Sequence, residues 1–292
     1  NNAKWWKEVK GLCGLRQISQ YVFSEVCYGE RLLCQAELPN AFNELMVSLA
    51  QDIPPLSDDV LATLRSKLGD CADDRIIISE LEVFRVLNNL KIGKASLNNA
   101  ITNELLRALS DILAAPICAL LNTSIRSGYV PNQWKISRVT LVPKVTPVTK
   151  IESDFRPISI TCPVSSVAES FIARYFDQHF EQYLDQNQFG ASRNRSTVLA
   201  LIKLCHILFE AADDCGNFVR LVFVDFTKAF DLIDHNVLFK KFVDCDFPTW
   251  LTTWSLSFLK DTTQFVKVRD VLSDCLVTNA GAPQGTRAGS DD

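Results

Sequence analysis

Residues 221–236 read LVFVDFTKAFDLIDHN. An apolar run over 221–224 ends in an acid, Asp225. Phe230 follows five residues later, then Asp231, then a polar step into an amphipathic segment that starts near Asp234. A short continuous apolar run bounded by turn residues is the pattern of a buried strand. The stretch therefore predicts a strand that delivers Asp225 to its C-terminal edge, and a tight turn that brings Phe230 back beside the carboxylate. A carboxylate so placed offers the hard oxygen donors that Mg²⁺ takes. Taken in isolation, Asp225 reads first as a helix cap or a surface acid after a buried strand, and Phe230 as core. Asp231 and Asp234 read as turn and capping acids, and His235 as a structural histidine.

Downstream, FPTWLTTWSLSFL (247–259) predicts an amphipathic helix, and TQFVKV (263–268) with SDCLVTNA (273–280) a strand pair. GAPQGTRAGS (281–290) flanks Pro283-Gln284 with glycines, which lets the backbone bring the Gln284 amide close to a planar partner. Upstream, NQFGASRNRST (187–197) is a turn with Arg193 and Arg195 just before a long apolar helix capped by Ser196 or Thr197. Cations at a helix N-terminus oppose its dipole, a conflict that a phosphate would relieve.

Further upstream, WKISRVTLVPK (134–144) and SDFRPISIT (153–161) predict two strands of a β-hairpin joined by a basic loop, with a helix over 164–180. Lys135, Arg138, Lys144, Lys150 and Arg156 outnumber Glu152 and Asp154, so this hairpin is net positive in a chain of net charge −4. Ser79 with Glu82 forms a capping box that opens a helix with Leu81, Phe84, Leu87 and Leu90 on one face. Another helix runs over about 115–126. Residues 1–75 read as helical scaffold: Trp5, Trp6 and Val9 form a small apolar face, and AFNELMVSLAQDI (41–53) is a helix capped by Asn40 and ended by Pro54-Pro55.

The bulk numbers bound these readings. With 47% hydrophobic and 22% charged residues, the 292-residue chain is globular in composition rather than disordered. No apolar run reaches the ~18 residues of a membrane span. The ten cysteines include no CxxC pair and there are only three histidines, which argues against zinc. No signal peptide is visible, so the thiols are expected free, with no disulfide partner, in a reducing intracellular compartment, cytoplasm or nucleus. A net acidic chain is not basic throughout, but a local basic groove remains open to it.

Six segments in order carry a resemblance: LNNLKIGKAS (87–96), VPNQWKISRVTLVPK (130–144), IESDFRPISIT (151–161), NQFGASRNRST (187–197), VFVDFTKAFDLIDH (222–235) and NAGAPQGT (279–286). Together they resemble the reverse transcriptase of non-LTR, LINE-type retrotransposons of the jockey-like branch. The resemblance implies an α+β right-hand polymerase, with fingers and a palm of antiparallel strands backed by helices. The expected parts are a helical N-terminal extension over 1–75, fingers with part of the palm over 76–213, and an incomplete palm over 214–292. It implies two-metal nucleotidyl transfer with Mg²⁺, or Mn²⁺ in its place, using an RNA template, a DNA primer and dNTPs, and no membrane. Asp225 would be the first catalytic carboxylate and metal ligand, with the Phe226 carbonyl as a second contact. Phe230 would be the gate against a ribose 2′-OH. Lys144 and Arg156 would grip the triphosphate, Gln284 and Gly285 would pack near nucleotide and template, and Arg193 and Arg195 would touch template backbone.

The chain departs from the family pattern where KASGPDG is usual and KASLNNA stands: Leu97, Asn98 and Asn99 replace Gly, Pro and Asp. The family's Tyr/Phe-x-Asp-Asp hairpin is absent, since Asp291-Asp292 follows Gly-Ser directly. The expectation is therefore a chain that stops before the second half of the metal site, inactive by itself, with an exposed apolar face and the 221–225 strand lacking a neighbour. The alternative is a non-catalytic, nucleic-acid-binding remnant of a decayed element.

Overall fold

The computed structural model describes residues 26–70, 78–97, 101–190, 194–213 and 218–283. Trp5, Trp6, Val9, Asn98, Asn99, Arg193, Gln284, Gly285 and Asp291-Asp292 lie outside them. Among the described residues are seven strands, β1 (Val26–Tyr28), β2 (Arg31–Leu33), β3 (Ile136–Pro143), β4 (Phe155–Ile160), β5 (Thr262–Val268), β6 (Val271–Leu272) and β7 (Leu276–Thr278). Nine α-helices accompany them: α1 (Leu38–Ser48), α2 (Asp58–Asp70), α3 (Glu80–Asn88), α4 (Asn103–Ala108), α5 (Ser110–Ser127), α6 (Pro163–Phe180), α7 (Thr197–Asp213), α8 (His235–Asp244) and α9 (Thr249–Leu259).

The expected hairpin forms. In β3 every second residue is buried (Ser137, Val139, Leu141), the period-2 signature of a strand with one covered face. Its antiparallel register with β4 sets Val142 opposite Arg156 and Pro143 opposite Phe155. β3 also pairs β5, in parallel, and β5 pairs β6 and β7 antiparallel. The sheet is thus antiparallel except at β3–β5. α1 covers its inner face. Phe42 of α1 meets Phe155 edge-on at 5.9 Å, and Leu38 and Leu45 join Val139, Leu141, Val266 and Val268 in one core.

Asn43, fully buried on α1, ties that helix to the sheet. Its Nδ2 donates to Asp274 O at 2.8 Å and Ser273 Oγ at 3.1 Å, and its Oδ1 accepts from Gln264 at 3.0 Å. Asn40, expected as an N-cap, instead accepts the Asp274 N–H at 2.8 Å. The helix begins earlier, at Leu38 with Pro39 in its first turn, and its last residue is Ser48, well before Pro54-Pro55. The N-terminal region is therefore not wholly helical, since the β1–β2 hairpin precedes α1.

The second core is helical and surrounds α9. Every residue of α9 from Trp250 to Leu259 is buried, so the helix is enclosed all round rather than amphipathic. Trp254 stacks on Phe258 and donates its indole N–H to Ser124 Oγ at 3.1 Å. Gly128 caps α5 at φ 60°, and a Cβ there would lie 2.6 Å from Thr253 of α9 and 2.8 Å from Leu68 of α2. The capping box of α3 forms as expected, but its buried residues are Val83 and Leu87, spaced i, i+4, while Leu81 is exposed. Both cores draw residues from all three segments expected as separate parts, 1–75, 76–213 and 214–292.

One expectation fails outright. Residues 221–225 form no strand, and the segment is open to solvent, with Val222 78% and Val224 79% exposed. A strand needs ladder partners for its N–H and C=O groups, and among the described residues this segment pairs with none. α7 likewise buries no residue.

Candidate nucleotide site

The turn after Asp225 is built locally. Lys228 adopts φ 54°, and its carbonyl accepts the N–H groups of Asp231 at 3.0 Å and Leu232 at 3.2 Å. Asp234 caps α8, accepting from Asn236 N at 2.7 Å and Val237 N at 3.4 Å, as a capping acid should. His235, 1% exposed, makes a 2.8 Å hydrogen bond from Nε2 to Gly281 O. Burial pushes its imidazole pKa below the usual value, against the Gly281 carbonyl and Asp234, which both favour the charged ring. Gly281 N donates to Ile233 O at 2.8 Å and Ala282 N to Phe230 O at 2.9 Å. The start of the GAPQG loop is therefore clipped onto the turn that carries Phe230.

Opposite stands the β3–β4 hairpin. Lys144 and Arg156 leave it on either side of a loop organised by Asp154, whose Oδ2 accepts the N–H groups of Thr149 and Lys150 at 2.9 Å each. Hydrogen bonds from Ser153 and these amides hold its carboxyl well below the usual carboxylate range. Lys144 N donates to Asp154 O at 2.7 Å. Of the five hairpin cations, two are engaged elsewhere: Lys135 donates to Lys260 O at 3.1 Å and Arg138 to Leu97 O at 3.4 Å. Burial lowers the Lys135 pKa. Lys144, Lys150 and Arg156 stay exposed.

Hairpin and turn enclose a cavity of about 420 Å³. Lys144 and Arg156 line it from one side and Asp225, Phe226 and Phe230 from the other, while Phe42, Leu45 and Met46 of α1 contribute apolar wall. Five of the residues singled out in the sequence thus meet at one cavity. Arg195 does not join them: its guanidinium donates to Gln186 O and lies 5.3 Å from the Phe189 ring centroid, within its own loop. Arg193, Gln284 and Gly285 fall outside the described residues. Three further charged groups line the cavity and were missed: Glu152, Lys228 and Asp231. Lys228 lies three residues after Asp225, within the motif first quoted, and its charge was the available signal. Asp231 was read only as a turn acid. Burial raises its pKa, opposed by the positive charges of Lys228 and Lys144.

Asp225 fits the role of one hard-cation ligand. Among the described residues, however, no three His, Cys, Asp or Glu side chains come together as a metal site. No helix among the described residues is long and apolar enough to cross a membrane.

A family model for reverse transcriptase (RNA-dependent DNA polymerase) matches residues 142–290, just over half of the chain. The match takes in β4, the whole turn at 225–231 and the clipped Gly281 loop. Among similar proteins of Drosophila melanogaster, the probable RNA-directed DNA polymerase from transposon BS is 28% identical over 210 residues, 71% of this chain and 23% of that protein. The probable RNA-directed DNA polymerase from transposon X-element is 24% identical over 263 residues, 89% of this chain and 28% of that protein. The RNA-directed DNA polymerase from mobile element jockey is 25% identical over 210 residues, 71% of this chain and 23% of that protein. The chain spans about a quarter of the length of these relatives.

Proposed function

Because the chain belongs to the reverse transcriptase (RNA-dependent DNA polymerase) family, we propose that the cavity between the β3–β4 hairpin and the 225–231 turn is the dNTP pocket of an RNA-directed DNA polymerase of a mobile element. One observation carries this reading: Lys144, Arg156, Asp225 and Phe230, scattered through the sequence, line a single cavity of about 420 Å³. The reaction is attack of a primer 3′-OH on the α-phosphate of a dNTP paired to an RNA template, with pyrophosphate leaving.

Each side chain has a task suited to its chemistry. The Arg156 fork bonds phosphate oxygens bidentately, while Lys144 and Lys228 act as point charges on the same triphosphate. The Phe230 ring stands where a 2′-OH would go and favours deoxynucleotides. A divalent cation, Mg²⁺ or Mn²⁺, neutralises phosphate charge when bound, and Asp225 and the Phe226 carbonyl are the ligands assigned to it here. Gln284 and Gly285 toward the nucleotide, and Arg193 and Arg195 toward template backbone, are assigned on family resemblance. The same resemblance supports an N-terminal extension over 1–75, fingers with part of the palm over 76–213 and further palm over 214–292, and an intracellular setting in cytoplasm or nucleus.

Calorimetric titration of the 292-residue chain with dATP and Mg²⁺ tests the pocket. Binding is expected, and it should be lost when Lys144 and Arg156 are both changed to Ala. No binding by the unmodified chain, or equal binding by the double variant, would overturn the reading.

A second reading has its own support. Asp225 sits on a solvent-exposed segment, and no three candidate ligands converge among the described residues. These 292 residues would then bind nucleotide or RNA without catalysis. Primer extension on a primed RNA template with Mg²⁺ is expected to give no product. Templated incorporation that disappears in Asp225→Ala would exclude this second reading.

A further inference from the structure

The β1–β2 hairpin lies outside residues 142–290, yet it hydrogen-bonds two residues that line the cavity, Ile151 and Glu152. β1 pairs with more than β2. Cys27 N donates to Thr149 O at 2.7 Å, and Ile151 N donates back to Cys27 O at 3.1 Å. These bonds make a parallel bridge between Cys27 and Lys150. At the hairpin tip Gly29, with φ 58°, donates its N–H to Glu152 Oε1 at 2.9 Å. Ile151, between these contacts, is 1% exposed and belongs to the same core as Val26 and Leu33.

These contacts grip residues 149–152 from outside, as Asp154 grips Thr149 and Lys150 from inside. The gripped segment lies between Lys144, bonded through its N–H to Asp154 O, and Arg156. Glu152 lines the cavity with both cations. Its other oxygen, Oε2, is buried with no hydrogen-bond partner among the described residues. What the Gly29 amide needs at this position is an acceptor, which a carboxylate or an amide oxygen can supply.

We propose that the β1–β2 hairpin is a brace that sets the position of Lys144 relative to Arg156, and that Glu152 is the positioning residue coupling brace to cavity. The role rests on the triphosphate reading of that cavity. The physical basis is preorganisation. A loop of eleven residues, 144–154, left free would have to be ordered at the moment of binding, and that ordering weakens affinity. Held by β1 and Gly29 beforehand, the loop presents Lys144 already in place opposite Arg156, which the β3–β4 ladder fixes.

Two variants and two measurements test this. Glu152→Ala removes the acceptor, whereas Glu152→Gln keeps it. In the ligand-free chain, the Gly29 and Ile151 amides should exchange with solvent about tenfold faster in Glu152→Ala and at the unmodified rate in Glu152→Gln. With dATP and Mg²⁺ as the probe, Glu152→Ala should bind about tenfold more weakly, and Glu152→Gln within about twofold of the unmodified chain. Unchanged dATP affinity in Glu152→Ala, in a chain that loses it when Lys144 and Arg156 are replaced, overturns the brace and leaves the pocket standing. Equal weakening in both Glu152 variants overturns positioning in favour of a direct role for the charge. Failure of the unmodified chain to bind dATP overturns the pocket and the brace together.

Discussion

At the scale of single residues, Gly281 is hemmed in by backbone that cannot swing aside. Its φ is +86°, and a Cβ there would stand 2.9 Å from both Phe230 O and Asp231 O. Its amide and its carbonyl are both used, by Ile233 and His235. Gly281→Ala should therefore destabilise the chain by roughly 2–4 kcal/mol, combining positive-φ strain with overpacking, measured by urea denaturation. His235 makes a pH prediction. Burial lowers its pKa in the folded chain, so the unfolded chain binds the proton more readily. Its contribution to stability is full above the ordinary value of 6.5 and is lost as pH falls through the folded pKa. Urea midpoints should fall between pH 7 and pH 5, and the part of that fall due to this ring should vanish in His235→Gln, which retains an N–H donor for Gly281.

At the same scale, much of the candidate site was legible and some of it was not. Asp225 and Phe230 were visible as an acid and an aromatic at a fixed offset, and Lys144 and Arg156 as cations flanking a loop. Glu152 was not. Its relevance depends on a hydrogen bond to Gly29, 123 residues away, and no local pattern encodes such a partner.

Elements show the same limit in another form. α7 and α9 are both strongly apolar helices, yet α9 is enclosed all round and α7 buries nothing. Periodicity reports which residues could be buried, while burial itself depends on a neighbour arriving from elsewhere in the chain. Leu251→Ala in α9 should cost about 2–5 kcal/mol, whereas Leu201→Lys in α7 should change stability by less than about 0.5 kcal/mol; both are readable as shifts of the thermal midpoint. Local chemistry was read more securely. The Ser79–Glu82 capping box, the Ser196 and Asp234 caps and the β3–β4 hairpin all form, because each is satisfied by residues close in sequence. Asn40 is the counterexample: a residue with good capping chemistry is claimed by the distant Asp274 amide.

For the molecule as a whole, the exposed faces have a consequence. Phe209 on α7 and Phe223 in the unpaired segment are exposed, as are apolar residues near each of them in sequence, and exposed apolar surface promotes association. Sedimentation velocity of the 292-residue chain should show a weight-average mass that rises with concentration, and Phe209→Asp with Phe223→Asp should flatten that rise.

The sequence by itself determined the family, the order of most elements and five of the residues that meet at the cavity, because motif spacing, caps and hairpin turns are short-range features. Only the tertiary structure decided that both cores draw on all three segments, that the β1–β2 hairpin hydrogen-bonds residues 149–152, and that residues 221–225 stay unpaired. Those outcomes depend on contacts across many residues, where the identity of the partner, and not the local pattern, decides whether an apolar run becomes a strand.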